Sequence, residues 1–271
     1  MARGVSIKFK SYKETVQNIL RVTKFENELK KHAVVVLKPC LKNPGNKSNT
    51  PVAFTEAVLK FCLANKNPET QVFIAEGSDG EDTMETFQAE GYTKLSEIYS
   101  VGLIDLNTSE TETIRDGEFI KFNEIHYPKI LTNALIISIP KLSEDPETEI
   151  SGSLSNFLGA FPAKHYSGFL SSNKNKIRKH PIKYSIHDIL RCKLPQVAIM
   201  DASDKGVILL GDPIEVDKRA SALMNKDWRQ IQHIRLADES ISNYMALQAQ
   251  KEALKAQKNE EPKEEASFMK K

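Results

Sequence analysis

A series of short apolar runs constrains the fold of this chain more than any other feature of its sequence. Each run is rich in valine, isoleucine and leucine and lacks the alternation of a half-exposed strand. The runs are HAVVVLKPC at 32–40, QVFIAEG at 71–77, VGLIDL at 101–106, ALIISIP at 134–140 and QVAIMDAS at 196–203. Continuous β-branched runs are typical of strands buried on both faces of a parallel sheet.

Polar loops and helical patterns separate these runs, which is the order expected of right-handed βαβ crossovers. Thr50 and Pro51 have the residue types of a helix cap and first helical position, and Asp212 opens a similar helix start. Residues 112–127 alternate enough to predict a hairpin or edge pair. The sequence therefore predicts an α/β fold, a mostly parallel mixed sheet flanked by helices, with a division into two lobes left open.

The chain has 271 residues, which exceeds the usual domain of about 100 to 200 residues but suits one large α/β domain. We predict that residues 1–240 form this domain. Beyond them the composition changes to Ala, Gln, Lys and Glu, which predicts a charged helix to about residue 257 and then a disordered tail. Residues 241–271 are therefore assigned to this helix and tail.

Composition excludes several classes of function. The formal net charge of +2 arises from 38 basic and 36 acidic side chains, so a dedicated nucleic-acid binder is not expected. Cys40, Cys62 and Cys192 are scattered and odd in number, which indicates a reducing compartment rather than a disulfide framework. The histidines do not fall into metal-ligand spacing, so no metal site is predicted. No run approaches the about 18 apolar residues of a membrane span, and we expect a cytoplasmic protein.

Ligands of parallel α/β sheets bind beyond the carboxyl ends of the strands, where the loops converge. Four features are expected at that edge of the sheet. They are Lys38 with Cys40, the segment Glu76 to Gly80, Lys141 with the glycine-containing loop that follows it, and the segment Asp201 to Asp204. The second segment lacks both the GxGxxG and the Walker patterns, so it predicts a tight turn as readily as a nucleotide contact.

The loop after Lys141 is too long for a plain connector, and it contains Gly152, Asn156 and Gly159. Glycines would let backbone N–H groups approach a ligand, and Asn156 can donate and accept hydrogen bonds. An ordered covering flap is the alternative interpretation. Residues 164–183 follow with no acidic side chain, and this basic segment could attract phosphate or carboxylate groups or remain a solvated loop. Its basic residues are Lys164, Lys174, Lys176, Arg178, Lys179 and Lys183.

Taken in order, these motifs resemble domain-of-unknown-function family 362. The similar segments are VVVLKPC at 34–40, TPVAFTEAVLKF at 50–61, VFIAEG at 72–77, IISIPKL at 136–142, GSLSNFLGAF at 152–161, VAIMDA at 197–202 and ILLGDPIEVDKRASALM at 208–224. The resemblance implies an α/β fold that is distantly similar to the N-terminal part of the nickel-pincer lactate racemase group. Members often carry ferredoxin-type iron–sulfur modules, for which three scattered cysteines cannot supply the ligands.

The chain departs from the family pattern at several positions. Cys40 replaces the asparagine of a KPN motif, Ser143 and Glu144 replace a lysine and a histidine, and Ser155 replaces the lysine of LKN. A glycine-rich insert is reduced to residues 203–206. Each departure removes a cationic or glycine-rich element from the expected pocket. The positions that keep the pattern are Lys38, Thr50, Glu76, Lys141, Asn156, Asp201 and Asp217.

Two functions are compatible with these features. In the first, an anionic small molecule or a redox cofactor of unknown identity binds between the loops. Lys38 and Lys141 would neutralise its charge, and Asp201 would act as acid or base. Catalytic roles are thus predicted for Asp201 and Lys141, and binding roles for Lys38, Thr50, Glu76, Gly77, Gly152, Asn156 and Gly159. In the second, the chain is a non-catalytic protein with an eroded site that docks on a protein partner.

Overall fold

The computed structural model describes residues 4–241 of the chain. The first half contains strand β1 and helices α1 and α2, then β2, α3, β3, α4, α5 and β4. Their bounds are Val5–Lys8, Tyr12–Val22, Glu26–Leu29, Val34–Pro39, Val52–Asn65, Gln71–Glu76, Thr83–Ala89, Tyr92–Tyr99 and Gly102–Asp105. The helix predicted to about residue 257 and the tail lie outside the described residues.

The second half begins with β5, β6, α6, β7, β8 and β9, and continues with α7, α8, β10, β11, α9 and α10. Their bounds are Thr111–Ile114, Ile125–Pro128, Lys129–Thr132, Leu135–Ile139, Ser143–Asp145, Glu149–Ser151, Ala163–Tyr166, Ile182–Cys192, Val197–Ala202, Val207–Gly211, Pro213–Leu223 and Gln232–Leu236. Short 3-10 turns cover Ser155–Ala160, Asn175–Arg178 and Ser203–Lys205, and a π turn covers Ala237–Ile241.

Within residues 4–241, seven strands form one sheet in the order β1-β11-β10-β7-β2-β3-β4. Strands β10, β7, β2, β3 and β4 run parallel, and β11 and β1 continue the sheet antiparallel. The antiparallel pairs β5–β6 and β8–β9 lie outside it. The predicted α/β fold with a mostly parallel mixed sheet is thus confirmed. Four of the five apolar runs form the central strands, whereas VGLIDL forms the edge strand β4, whose residues are partly exposed.

The two faces of the sheet are covered by different helices. Successive side chains of β2 alternate between them, so Val36 packs with α8 and α9 while Val35 and Leu37 pack with α1 and α3. All three side chains are fully buried. Because both faces of the sheet are covered, the strand has no polar face. Polar groups are found instead at the carboxyl ends of the strands.

Helix starts were predicted with mixed success. Asp212 caps α9 as predicted, since its carboxylate accepts from the backbone N–H of Ile214 and Glu215 at 2.9 and 3.2 Å. The predicted cap Thr50 is wrong, because α3 starts after Pro51 without a side-chain cap. The Thr50 hydroxyl instead donates to Ile139 O at 2.6 Å and accepts from Cys40 N at 2.9 Å. It therefore ties the end of β2 to the end of β7.

The segment from Lys141 to Lys164 is more ordered than the predicted long loop. The β8–β9 pair and the 3-10 turn over Ser155–Ala160 account for much of it. Leu154 and Phe157 are fully buried, and their packing fixes the segment against the sheet. Among the described residues, no helix combines the length and the apolar character needed to cross a bilayer.

Candidate functional site

A cavity of about 490 Å³ opens at the carboxyl ends of β2 and β3. Its walls come from the ends of both strands, the β8–β9 turn, the 3-10 turn over Ser155–Ala160 and the segment 173–178. The lining residues are Cys40, Leu41, Lys42, Glu76, Gly77, Asp79, Asp145, Pro146, Glu147, Thr148, Ser151, Ser155, Asn156, Leu158, Gly159, Asn173, Asn175 and Arg178. The cavity therefore lies where ligands of parallel α/β sheets bind.

A buried ion pair forms the floor of this cavity. The Lys38 ammonium donates to both carboxylate oxygens of Glu76, at 2.9 and 3.0 Å, and the side chains are 0% and 3% exposed. It also donates to the backbone carbonyl and side-chain oxygen of Asn156, at 2.7 and 3.0 Å. Lys38 thus has four oxygen partners, so burial leaves no uncompensated charge.

The partners of this pair are themselves held in place. Asn156 donates through Nδ2 to Lys38 O at 2.9 Å and to Ser138 Oγ at 3.0 Å, which joins the 3-10 turn to β2 and β7. Glu76 accepts from Gly77 N at 2.7 Å and from Leu41 N at 3.3 Å. The network links three strand ends and one turn, so it fixes the floor as a rigid unit.

Gly77 and Gly159 allow the backbone to approach this network closely. A Cβ atom on Gly159 would overlap Glu76 Oε1 and lie 2.7 Å from Lys38 Nζ. A Cβ atom on Gly77 would lie 2.5 Å from Gly159 O. Both distances are too short for a side chain, so the two glycines are required by packing beside the ion pair.

Lys174 supplies a second buried ammonium behind the same glycines. It is 1% exposed and donates to Gly77 O at 2.7 Å and to Gly159 O at 3.4 Å. Burial lowers the pKa of Lys174 to about 8, although Glu76 and Asp79 act in the opposite direction. Its backbone N–H donates to Asp79 Oδ1 at 2.7 Å, so the segment 173–178 is fastened to the loop after β3.

The cations at the cavity wall are paired with carboxylates of the chain. Lys42 Nζ lies 2.7 Å from Asp145 Oδ2, and Arg178 contacts Asp79 and Glu147. Burial alone would raise the pKa of Asp145, but the Lys42 ammonium and nearby N–H groups lower it to about 2. The wall is therefore polar, and because its carboxylates outnumber Lys42 and Arg178 it is not a positive patch.

Gly152 lies at a different buried carboxylate. A Cβ atom on Gly152 would be 2.7 Å from both carboxylate oxygens of Asp217, which is fully buried. Asp217 accepts from Ser153 N at 2.7 Å and from Leu154 N at 3.0 Å. Asp217 thus anchors the start of the 3-10 turn that carries Asn156, and it affects the cavity by fixing the position of this turn.

Asp201 and Lys141 are adjacent to each other but are not among the residues that line the cavity. Their backbones form a parallel bridge between the ends of β7 and β10. The Asp201 carboxylate accepts from Tyr12 OH at 2.7 Å and from Ser203 N at 2.9 Å, while Lys141 Nζ lies 3.2 Å from Asp204 Oδ2. The structure therefore brings Lys38, Glu76, Gly77, Asn156 and Gly159 together and leaves this pair beside β1 and α1.

Several cavity residues have no sequence signal that identifies them as site residues. Asn173, Asn175 and Arg178 belong to the basic segment, where the sequence indicates only a basic character. Asp145, Glu147 and Thr148 lie on the β8–β9 turn. The residue types of these two segments therefore become informative only once the contacts are known.

Asp217 gives a pH-dependent prediction. Burial raises its pKa from 3.8 to about 6, although the Ser153 hydroxyl and two backbone N–H groups act in the opposite direction. The folded protein therefore binds a proton that the unfolded chain has released between about pH 4 and pH 6. The stabilisation that this proton provides is complete below about pH 4 and is lost as the pH rises through 6. The free energy of unfolding falls by about 3 kcal/mol over this range because of Asp217.

Urea unfolding of Asp217→Asn across pH 4 to 7 measures this effect. We expect the variant to lose the part of the pH dependence that Asp217 causes, so that the difference from the wild type changes with pH. Asp204→Asn, whose carboxylate is 70% exposed, is the matched control and should keep the wild-type slope. An unchanged slope in Asp217→Asn would contradict the assignment.

The cavity lacks a set of side chains suited to a nickel group of the kind that names the nickel-pincer racemases. Imidazole is a usual ligand of nickel in proteins, and no histidine lines the cavity. Its one cysteine, Cys40, is buried, and burial raises the pKa of the thiol. Within residues 4–241, no group of three or more His, Cys, Asp or Glu side chains is placed to hold a metal ion.

Comparison with solved structures supports the fold. The chain is similar to the lactate racemase apoprotein from Thermoanaerobacterium thermosaccharolyticum, with a TM-score of 0.52 and 14% sequence identity. The match covers 84% of this chain and 57% of that protein, so the chain spans a little over half of the racemase. At this identity the likeness shows the fold alone.

No curated protein matches the chain in sequence. The sequence pattern of one family, described as "Domain of unknown function (DUF362)", matches residues 35–207. This range includes β2 through the start of β11, and with it every residue that lines the cavity. The resemblance found in the strand-end motifs is thereby confirmed, and the chain belongs to the DUF362 family.

Proposed function

We propose that this chain binds a small molecule in the cavity at the carboxyl ends of β2 and β3. The observation that carries the proposal is the buried Lys38–Glu76–Asn156 network directly beneath the cavity. Buried ion pairs contribute little net stability compared with apolar packing of the same volume. A need for polar groups at fixed positions therefore explains the buried network at the cavity floor better than a need for stability does.

The size and walls of the cavity are consistent with binding. A volume of about 490 Å³ lies within the range of about 300 to 1,000 Å³ found for small-molecule sites. Asn156, Ser151 and Thr148 add neutral hydrogen-bonding groups to the charged ones, and Leu158 and Pro146 add apolar surface. This mixture suits a polar metabolite or the polar end of a larger cofactor.

If such a ligand is anionic, residues other than Lys38 and Lys141 must compensate its charge. Lys38 is fully buried with four oxygen partners, and Lys141 lies beside Asp204 away from the cavity. Lys42 and Arg178 are the cations that line the wall. A small anionic group is therefore proposed to contact Lys42 or Arg178.

We propose binding and assign no reaction step. The carboxylates and cations at the wall are paired with one another, and Asp201 is 1% exposed with its carboxylate bonded to Tyr12. These contacts support a positioning role for Asp201 and Lys141 at the strand ends.

Docking of a protein partner on the basic segment receives less support. Lys174 is buried, Arg178 pairs with Asp79 and Glu147, and Lys164 donates to the carbonyls of Thr108 and Ser109. Lys176 also donates to His165 O at 2.7 Å, so four of the six basic residues of this segment are used in contacts within the chain. The positive surface is thus weaker than the sequence predicts.

Saturation-transfer NMR of the full chain tests small-molecule binding. The probes are acetate, lactate, inorganic phosphate, acetamide and lactamide, which cover charged and neutral polar groups. Leu158→Trp adds volume at the cavity wall and is expected to weaken probe binding at least about tenfold, because the indole occupies the space of the ligand.

Leu63→Trp is the matched control, since Leu63 is also half-buried but lies in α3 on the other face of the sheet. It should bind the probes as the wild type does. Equal binding by Leu158→Trp and the wild type, or no binding of any probe to the wild type, would count against a site in this cavity.

A further inference from the structure

Arg178 stands between two carboxylates at the cavity wall. It contacts Asp79 through one terminal nitrogen, and its Nε lies 2.9 and 3.0 Å from the two carboxylate oxygens of Glu147. The Arg178 side chain is one-third exposed. A guanidinium presents its N–H donors along the edges of its plane, and here Glu147 occupies the Nε donor and Asp79 one terminal nitrogen.

The two carboxylates are held differently. Asp79 also accepts from the backbone N–H of Lys174 at 2.7 Å, and its side chain is 27% exposed. The Glu147 side chain is 43% exposed, and it projects from the turn between β8 and β9. Glu147 is therefore the partner that can move away from Arg178 more readily, because Asp79 would also have to give up its bond to the backbone of Lys174.

We propose that the ligand of the cavity carries a carboxylate, and that Glu147 occupies the position of this carboxylate on Arg178 until the ligand displaces it. This inference rests on the proposed small-molecule function and names the class of ligand. Exchange of one carboxylate for another keeps the charge at Arg178 unchanged, so it avoids the cost of leaving a half-buried guanidinium without its second anion.

A second, smaller cavity gives Glu147 a place to move to. It has a volume of about 210 Å³ and shares Glu147 and Thr148 with the first cavity. Lys183 and His233 line its other side, and His233 Nε2 is buried without a hydrogen-bond partner. A rotation of the Glu147 side chain from one cavity to the other would exchange Arg178 for these groups.

The competition between Glu147 and the ligand predicts an unusual gain of affinity. Without the Glu147 charge, Arg178 keeps its contact with Asp79 but has no second carboxylate that an added carboxylate must displace, whereas in the wild type the ligand must first break the ion pair with Glu147. Because partly exposed ion pairs contribute modestly, we expect Glu147→Gln to bind carboxylates about fivefold more tightly than the wild type. Neutral amides should bind the two proteins equally.

The experiment compares propionate with propionamide on the full chain by NMR titration. Glu144→Gln is the matched control, because Glu144 lies on the same hairpin and makes the same change of charge but does not line the cavity. It should leave the dissociation constant for propionate unchanged. Arg178→Met should remove the preference for propionate over propionamide in both the wild-type and Glu147→Gln backgrounds.

The proposal is overturned if Glu147→Gln does not bind propionate more tightly than the wild type, or if Glu144→Gln gives the same gain through net charge alone. This failure is distinguishable from failure of the proposed function. If propionamide binds and Leu158→Trp weakens its binding, the cavity is a small-molecule site whose ligand is not a carboxylate. If neither probe binds any of these proteins, both proposals fail.

Discussion

Replacing Lys38 with methionine is expected to lower the free energy of unfolding by about 3–5 kcal/mol, because the substitution leaves the Glu76 carboxylate buried without its cation. The Glu76 side chain is 3% exposed, so water cannot replace the lost ammonium without rearrangement of the floor. Asn156 would also lose the donor that its backbone carbonyl and side-chain oxygen now share. Urea unfolding at pH 7, followed by circular dichroism, measures the change.

The double variant Lys38→Met/Glu76→Gln is the internal control. Replacing both charged groups removes the uncompensated carboxylate, so the double variant should be more stable than Lys38→Met alone. Such non-additivity is the signature of residues in direct contact. The geometry of the floor would be contradicted if the effect of the double variant were the sum of the effects of Lys38→Met and Glu76→Gln. A loss below about 1 kcal/mol in Lys38→Met would also contradict it.

The second large effect is expected from Gly159→Ala, which we predict to destabilise the protein by about 3 kcal/mol. The added methyl group would overlap Glu76 Oε1 and lie 2.7 Å from Lys38 Nζ. These atoms are buried and bonded to one another, so they cannot move aside as an exposed side chain would. Relief of the overlap must therefore stretch the ion pair or displace the 3-10 turn.

Gly117→Ala provides the matched comparison for this substitution. No atom lies within 4 Å of a Cβ built on Gly117, so the same chemical change meets open space there. Its stability should stay within about 0.5 kcal/mol of the wild type. Equal urea midpoints for Gly159→Ala and the wild type would show that the turn is not packed against the ion pair as described.

The fold could be predicted from the sequence because its strongest signal is local. Runs such as residues 34–39 and 135–139 are buried on both faces, and that burial imposes a continuous apolar pattern which needs no partner to be recognised. The Asp212 cap is equally local, since its bonds reach residues two and three positions away. Thr50 shows the limit, because its hydroxyl bonds Ile139, which is distant in sequence.

Only part of the site was predictable, because many of its contacts join residues that are distant in the sequence. Lys38 and Glu76 end neighbouring parallel strands, so the expectation that they meet follows from topology. Arg178 at the cavity wall contacts Asp79 and Glu147, and Lys174 behind the wall contacts Gly77, and no periodicity encodes these contacts. A run of basic residues predicts a positive surface, yet the chain uses these two side chains to hold its own loops together.

The sheet also has a consequence for self-association. Both of its edges are four-residue strands, β1 and β4, and only one of the five apolar runs, VGLIDL, lies at an edge. Unpaired backbone groups at an edge are templates for strands of other molecules, and short edges offer few of them. Loss of β1 would uncover Val207–Gly211, an apolar strand that now pairs on both sides. The four residues of β1 therefore cover an apolar strand that would otherwise form the edge of the sheet.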